Sequence, residues 1–455
     1  MYRTDSETLE IKEALDFIKQ HKNKRGRYEK LKRYYLGEHD ILASGGANKD
    51  GKNKVAAAYP KYITNFSTGY FMGNAVKYNA TKEDHLDDDE FLEEYKNICN
   101  FNNEAKENLA LAKTNSIKGE SYEILWFGDD GNVHFKRVEP DNAFLVYGTD
   151  IDESEKFGVR YYLDSKLNKT ITYVEIYDKN SIFYFNDEDK TNEFVMTDVR
   201  EHPFGAVPLI HYKNNEELQG DFEQVISLID AYNREQSNTL NDMDQFSDAY
   251  LVLTGYSAST REDIEKLKKD RVLLNDGDGK AEWLTKDVND SWVENYKDRL
   301  NKDIHKFSFT PDFTDESFGT NVPGVSLRLK LLTAEELRST KEMFFREGLI
   351  KRMDLIANYL NMAGDHDIIR NEIQMVFSDV LPQNILELTQ IVQNLAQDVS
   401  TETRLSILPF IENPAAEMEK KQKEDDAKAE SDMNIYRNFA EDNNNVKEEQ
   451  EVPER

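Results

Sequence analysis

Between about Glu120 and Val199 the apolar residues of this chain recur at every second position, and on both sides they recur at every third or fourth. A period of two is one face of a pleated strand, and a period near 3.6 is one face of a helix. The chain is therefore expected to fold as a block of antiparallel strands flanked by helices, the α+β class, rather than as alternating βα units. Within the block, Tyr122–Phe127, the turn Gly128-Asp129-Asp130-Gly131 and Val133–Val138 predict a hairpin. Further strands are expected at Val159–Leu163, Thr170–Tyr177, Ser181–Phe185 and Glu193–Thr197.

Helices are expected on either side of that block. Leu9, Ile11, Leu15, Ile18, Leu31, Tyr34 and Tyr35 place one in the first forty residues. An Ala-rich helix should start near Val55 ahead of a short strand at Tyr78, and another should run from Asp89 to Lys118. Downstream, Phe222, Val225, Ile226, Ile229, Tyr232, Gln236, Leu240, Met243 and Phe246 describe one long amphipathic helix. A mixed segment follows, with strands at Tyr250–Leu253, Arg271–Leu274 and Ala281–Leu284 and a short helix at Arg261–Lys269; then comes a helix over Ser291–Phe307. That order is a helical hairpin carrying a small domain at its tip. A loop from Thr310 to Gly324, with two prolines and two glycines, leads into a helix of unusual length, about Val325 to Met362. Its apolar residues Leu327, Leu331, Leu337, Phe344, Phe345, Leu349, Met353, Ile356 and Leu360 drift around the axis, and Gly348 is a place for a kink. Helices at Ile385–Gln397 and Glu402–Pro409 precede a Glu-, Lys- and Asn-rich tail from Ala415, expected to be a solvated, fraying helix or a partner contact.

With 88 acidic against 58 basic residues the net charge is −30. That argues against a sequence-reading nucleic-acid binder, whose affinity comes largely from Lys and Arg on phosphates. The basic stretch Lys19–Arg33 is read as a solvated helix face. A single cysteine, Cys99, cannot build an intrachain disulfide, and no apolar run of membrane-spanning length is present; a soluble protein in a reducing setting is expected.

Catalytic and metal motifs fail on their details. Gly46, Gly51 and Lys52 have phosphate-loop spacing, but Asn53 stands where a Mg²⁺-holding hydroxyl belongs and no strand leads in. Asp84–Glu90 lacks a calcium-loop glycine and reads as a solvated acidic loop, and Asp276-Gly277-Asp278-Gly279 is interrupted by Lys280 and reads as a turn. Asp365-His366-Asp367 sits at a turn after the long helix. No catalytic residue, metal site or cofactor is expected.

Several ordered segments carry a resemblance: Tyr34-Tyr35-Leu36-Gly37-Glu38-His39, Gly69-Tyr70-Phe71-Met72-Gly73-Asn74-Ala75-Val76-Lys77-Tyr78, Gly119–Glu123 and Val138-Glu139-Pro140. More specific are Pro208–Asn215, Asp221-Phe222-Glu223 with Ser227–Asn233, and Asn321-Val322-Pro323-Gly324-Val325. In this order the chain resembles the portal proteins of siphoviruses that infect Gram-positive bacteria. The resemblance implies a dodecameric ring at one capsid vertex, assembled in the host cytoplasm, through which double-stranded DNA is packaged and ejected. It implies a wing at 1–220 (helices plus antiparallel strands), a helical stem hairpin at 221–246 and 289–307, and a small α/β clip at 247–288. A tunnel loop follows at 308–325, then a long kinked helix at 326–363, a returning wing strand at 364–381, a helical crown at 382–414 and an acidic tail at 415–455.

By the same resemblance Thr314, Asp315, Glu316, Ser317, Phe318, Gly319, Thr320, Asn321, Val322 and Pro323 face the DNA. Pro323 departs from the family pattern, where a small residue such as Ser is expected, and stiffens the loop. Partners implied are the terminase large subunit, which acts as motor, a head-completion adaptor, scaffold protein and the major capsid protein, with no membrane. DNA would pass non-specifically, since an acidic wall avoids the counterion-releasing grip of a basic groove. Arg299, Lys302 and Lys330 would make either weak transient phosphate contacts or salt bridges between subunits. The alternative is a structural head-assembly protein without a DNA channel.

Overall fold

The computed structural model describes residues 2–43, 53–80, 86–166, 169–188, 193–247, 250–254, 280–284, 290–314, 329–364, 373–378, 385–408 and 417–429, with single positions 262, 265, 411 and 414. In chain order these give β1 (Tyr2–Arg3), α1 (Ile11–Leu36), α2 (Asp40–Ala43), α3 (Tyr59–Met72), β2 (Lys77–Ala80), α4 (Leu86–Phe101) and α5 (Glu104–Lys118). Eight strands follow: β3 (Glu120–Phe127), β4 (Val133–Val138), β5 (Ala143–Tyr147), β6 (Glu155–Lys166), β7 (Lys169–Tyr177), β8 (Ser181–Asn186), β9 (Val195–Glu201) and β10 (Leu209–Lys213). Then come α6 (Ile226–Ser247), β11 (Tyr250–Thr254), β12 (Lys280–Leu284), α7 (Asp290–Phe307), α8 (Leu332–Ala363) and β13 (Ile373–Val376). Residues up to Val380 form one compact unit, and Leu381–Arg455 a second.

The strand block divides into two sheets. A six-stranded sheet has the order β1-β5-β6-β7-β8-β9, and a three-stranded sheet the order β10-β3-β4. All neighbours in both are antiparallel except β1, which runs parallel to β5. The hairpin predicted at Tyr122–Val138 is present, with Tyr122 opposite Val138 and Phe127 opposite Val133. The N-terminal half of α1 covers one face of the larger sheet, where Leu9, Ala14 and Ile18 meet Phe144, Val146, Val159 and Ile176. Tyr122, Leu145, Tyr177, Val207 and Leu209 join the two sheets.

Four expectations need correction. The helix expected over Asp89–Lys118 is two helices, broken at Asn102 and Asn103. Asn103 takes a left-handed conformation (φ 53°) that asparagine tolerates better than most residues. Asn102 fixes the corner on β4 by donating to Val133 O at 2.9 Å and accepting from the Phe135 amide at 3.0 Å. The acidic run is not wholly a loop, because Leu86–Glu90 already belongs to α4; acidic residues near a helix N-terminus complement its dipole. The Ala-rich stretch from Val55 is extended, and α3 begins only at Tyr59 with Pro60 in its first turn. The long helix begins at Leu332, with residues 325–328 outside the described ones. The basic stretch of α1 is largely a solvated face, as expected, with Lys19, Lys22, Arg25 and Lys32 exposed; within it Arg27 donates to both Glu223 oxygens at 2.6 Å, and Arg33 reaches Asp40 at 2.7 Å.

The buried stripe of α8 also differs from the expected one. Leu337 and Phe344 are only half buried, whereas Ala334, Arg338, Lys341, Phe345, Gly348, Leu349, Arg352, Ile356 and Ala357 face inward. Three cations on that face fit because each reaches a partner on another element. Gly348 supplies room: a Cβ there would stand 2.4 Å from the Tyr212 ring, so the helix keeps a residue that costs roughly 1 kcal/mol relative to Ala. The largest core cluster surrounds this helix, joining Phe71, Phe91, Tyr95, Leu125, Phe135 and Tyr212 to Phe345, Leu349 and Met353. Arg338 and Arg346 donate to Phe377 O and Met375 O, which ties α8 to β13; β13 in turn pairs antiparallel with β2.

In the second unit, helices span Ile385–Asn394 and Thr401–Ser406. Ser400 caps the latter, accepting from the Thr403 amide at 3.2 Å. Residues 417–429 are helical and exposed, as the tail's composition allows.

Candidate functional site

The hairpin of α6 and α7 grows out of an apolar base. Phe222, Val225 and Ile229 meet Ile304 there, with Leu31, Tyr34, Ile63 and Ile117 closing the cluster. On α7, Val293, Leu300 and Ile304 give the inward face, while Trp292, Tyr296 and Arg299 face out. At the far ends of the helices, β11 and β12 pair antiparallel, Tyr250 opposite Leu284 and Thr254 opposite Lys280. The rest of the tip, including the strand expected at Arg271–Leu274 and the turn at Asp276–Gly279, lies outside the described residues, as does all but two positions of the helix expected at Arg261–Lys269.

Above the base, α6 holds the extended segment before α3 through polar side chains spaced four apart. Asn233 accepts from the Ala57 amide at 2.7 Å, Ser237 from the Val55 amide at 3.0 Å, and Asn241 from the Asn53 amide at 2.7 Å. One helix face thus pairs with alternate residues of an extended strap, which explains why an Ala-rich stretch is not helical here. Asn233 is fully buried and also donates to His39 Nδ1 at 2.8 Å, while His39 stacks on Tyr34 at 4.6 Å. Burial lowers the pKa of His39, which favours the neutral ring this arrangement uses.

The chain leaves α7 through a knot of hydrogen bonds. Phe309 takes a left-handed conformation (φ 55°), at a cost of roughly 1 kcal/mol for a residue with a side chain, and turns the backbone back so that the Thr310 amide donates to His305 O at 3.1 Å. His305 Nδ1 lies 3.1 Å from Thr310 O, so that nitrogen carries the ring proton. Tyr62 on α3 donates to Pro311 O at 3.0 Å. Asp312 accepts from the Thr314 amide at 3.0 Å, the Thr314 hydroxyl at 2.6 Å and Asn301 Nδ2 at 2.9 Å. Burial alone would raise the Asp312 carboxyl, but these donors and nearby His305 hold its pKa below the usual carboxylate range. Tyr59, Tyr62, Asn301, His305, Asp312 and Thr314 line a recess of about 310 Å³. A larger cleft, about 530 Å³, opens between the two sheets, where Arg160 and Glu175 pair at 2.8 Å.

Of the loop residues singled out from the sequence, Thr314 stands at this knot, and Asp315, Glu316, Ser317, Phe318, Gly319, Thr320, Asn321, Val322 and Pro323 lie outside the described residues. Arg299 is 81% exposed on α7, with Asp303 at 3.9 Å, and Lys302 is exposed one turn further on. Lys330 is half buried just ahead of α8. Two of the three belong to α7 and one to the approach to α8. Gly46, Gly51, Lys52 and Asp365-His366-Asp367 also lie outside the described residues, and no group of three or more His, Cys, Asp or Glu suited to a metal occurs among the described residues. Ser237, Asn241, Asn301, His305 and Asp312 carried no role in the sequence reading, and Asn233 entered it only as the end of the Ser227–Asn233 segment. The four-residue spacing of Asn and Ser on α6 was the available signal.

Behind the hairpin, α8 is fixed by buried charge. Arg352, fully buried, donates to both Glu123 oxygens at 2.7 and 2.8 Å, to Glu104 at 2.9 Å and to Asn108 at 2.8 Å, and lies 4.5 Å over the Phe135 ring. Lys341 reaches Asp221 at 2.7 Å and Asn214 at 2.6 Å. Asp221, just ahead of α6, also accepts from Ser116. The long helix, the hairpin's entry and the three-stranded sheet are thereby one mechanical piece.

Residues 15–431 match the family described as phage portal protein, SPP1 Gp6-like, from within α1 to beyond the hairpin, loop and long helix. The chain belongs to that portal protein family. It is 24% identical over 438 residues to the portal protein of Bacillus phage SPP1, covering 89% of this chain and 83% of that protein. To the portal protein of Clostridium phage phiCD119 it is 21% identical over 445 residues, covering 90% and 95%. As a phage portal protein it is a structural component of the virion capsid with the family's general role in DNA packaging, and its α+β fold is consistent with that family. No helix among the described residues is long and apolar enough to cross a membrane.

Proposed function

We propose that this chain is one subunit of a closed, dodecameric ring at a single capsid vertex, and that the ring is a passive conduit for double-stranded DNA. The observation that carries this reading is the coincidence of a family match spanning 15–431 with a two-helix hairpin, a strand pair at its far end and a long helix later in the chain. In this reading α6 and α7 are the stem and 247–288 the clip, where the terminase large subunit docks and a head-completion adaptor follows it. Residues 308–325 form the loop facing DNA, 1–220 with the strand at 364–381 form the wing, which meets scaffold and major capsid protein, and 382–414 form the crown ahead of the tail at 415–455. Assembly takes place in the host cytoplasm.

The chemistry suits a conduit better than a catalyst. A net charge of −30 per subunit disfavours a sustained grip on phosphates, so DNA slides, and Arg299, Lys302 and Lys330 supply at most brief contacts. Packaging energy then comes from the separate motor. Negative-stain imaging of the purified chain tests the assembly: annular particles with a central hole are expected. Monomers or non-annular particles at every concentration would favour the structural head protein without a channel. Deleting residues 314–323 should leave rings intact and abolish packaging, whereas loss of rings would make that segment structural instead.

A further inference from the structure

We infer that Asp312 is a positioning residue that fixes the first turn of the loop after α7 onto the stem helix itself. One carboxylate joins the two: an oxygen accepts from the Thr314 amide and hydroxyl at 3.0 and 2.6 Å, and the other accepts from Asn301 Nδ2 at 2.9 Å, two helical turns before the loop. Asn301 is in turn held by the Tyr59 hydroxyl, which donates to its Oδ1 at 2.6 Å, and Tyr62 holds the backbone at Pro311. The start of the loop is therefore fastened to two helices, α7 and α3, by short side chains with little rotamer freedom to lose. A load applied to the loop passes through Asp312 into α7 before the backbone between Phe307 and Thr314 can yield.

This inference rests on the reading of 308–325 as the loop that meets DNA, and the test separates the two. Rings of the full chain carrying Asp312→Ala or Asp312→Asn are compared with the unaltered protein. In Asp312→Asn the amide oxygen still accepts from Thr314, and Asn301 can turn its own amide over because a tyrosine hydroxyl both donates and accepts. The hydrogen-bond set survives, so Asp312→Asn should behave as the unaltered protein. In Asp312→Ala, hydrogen exchange at the Thr314 amide should quicken by about tenfold, and procapsids built with these rings should lose packaging while ring diameter is unchanged.

Unchanged exchange in Asp312→Ala, or equal loosening in both variants, overturns the positioning role. Faster exchange with full packaging leaves that role standing and sinks the reading of the loop as DNA-facing. If Asp312→Ala fails to assemble, Thr314→Val removes one contact from the exposed side, and a smaller quickening in the same direction is expected; none would overturn the inference.

Discussion

The long helix α8 and the hairpin helix α6 both turn polar residues toward a neighbour, and the two do so with opposite chemistry. On α8 the inward groups are cations set against buried carboxylates, Arg352 with Glu123 and Lys341 with Asp221. On α6 they are neutral, Asn233, Ser237 and Asn241, each taking one backbone amide of the strap. Removing one member of a buried ion pair leaves a charge without solvent or partner, which costs about 3–5 kcal/mol, whereas losing one neutral bond costs about 0.5–1.5 kcal/mol. The α8 side is thus an all-or-none framework, and the strap can detach rung by rung.

The comparison breaks most visibly at Arg352. Arg352→Ala should cost about 3–5 kcal/mol in thermal or denaturant unfolding; a loss below about 1 kcal/mol would show that the framework does not depend on this pair. Burial pushes the Glu123 carboxyl up and Arg352 opposes that push. Without the arginine Glu123 should bind a proton in the folded state, so the deficit should shrink as pH falls. Asp221 shifts the other way: burial would raise its pKa, but the Lys341 charge and hydrogen bonds from Asn214, Lys341 and Ser116 hold it below the usual value. Its contribution is therefore full above the unfolded carboxyl's pKa of about 4 and is lost as pH falls through the depressed folded value. The stability gap between the unaltered protein and Asp221→Asn should narrow below about pH 4; a gap flat from pH 7 to pH 3 would remove Asp221 from the acid response. The smallest effect is expected on α6. Asn233→Ala should cost about 1–2 kcal/mol, with faster hydrogen exchange confined to the strap and its Ala57 amide, and a loss as large as that of Arg352→Ala would erase the distinction.

How much of this could be read beforehand follows from the range of the interactions. The hairpin at Tyr122–Val138 and helices α6 and α7 are written in local periodicity and appeared nearly where expected. Strand β5, a run of five mostly apolar residues, was overlooked because such a run has no period to detect, and the two-residue β1 is too short to signal itself. The break at Asn102–Asn103 keeps helical spacing on both sides and is decided by contacts with β4, thirty residues on. Nothing in the apolar spacing marks Arg338, Lys341 and Arg352 as inward-facing; partners distant in sequence, the Phe377 carbonyl, Asp221 and Glu123, decide it. The loop was placed from resemblance, but the residues that fasten its root, Asn301 and Asp312, are ordinary polar residues until the fold brings them within 2.9 Å.

Helix α1 links the six-stranded sheet to the base of the hairpin. Its first half lies in the core of the six-stranded sheet through Ala14 and Ile18, and its last turns lie in the base of the hairpin through Leu31 and Tyr34. Twenty-six residues make a rod about 39 Å long, with its ends seated in separate cores. Such a rod acts as a crank: a tilt imposed on the sheet from outside arrives at the root of the stem as a displacement, with Gly26 near its midpoint as the softest place to absorb it. A load on the six-stranded sheet can therefore be felt at the base of the hairpin without any change in the hairpin's own contacts.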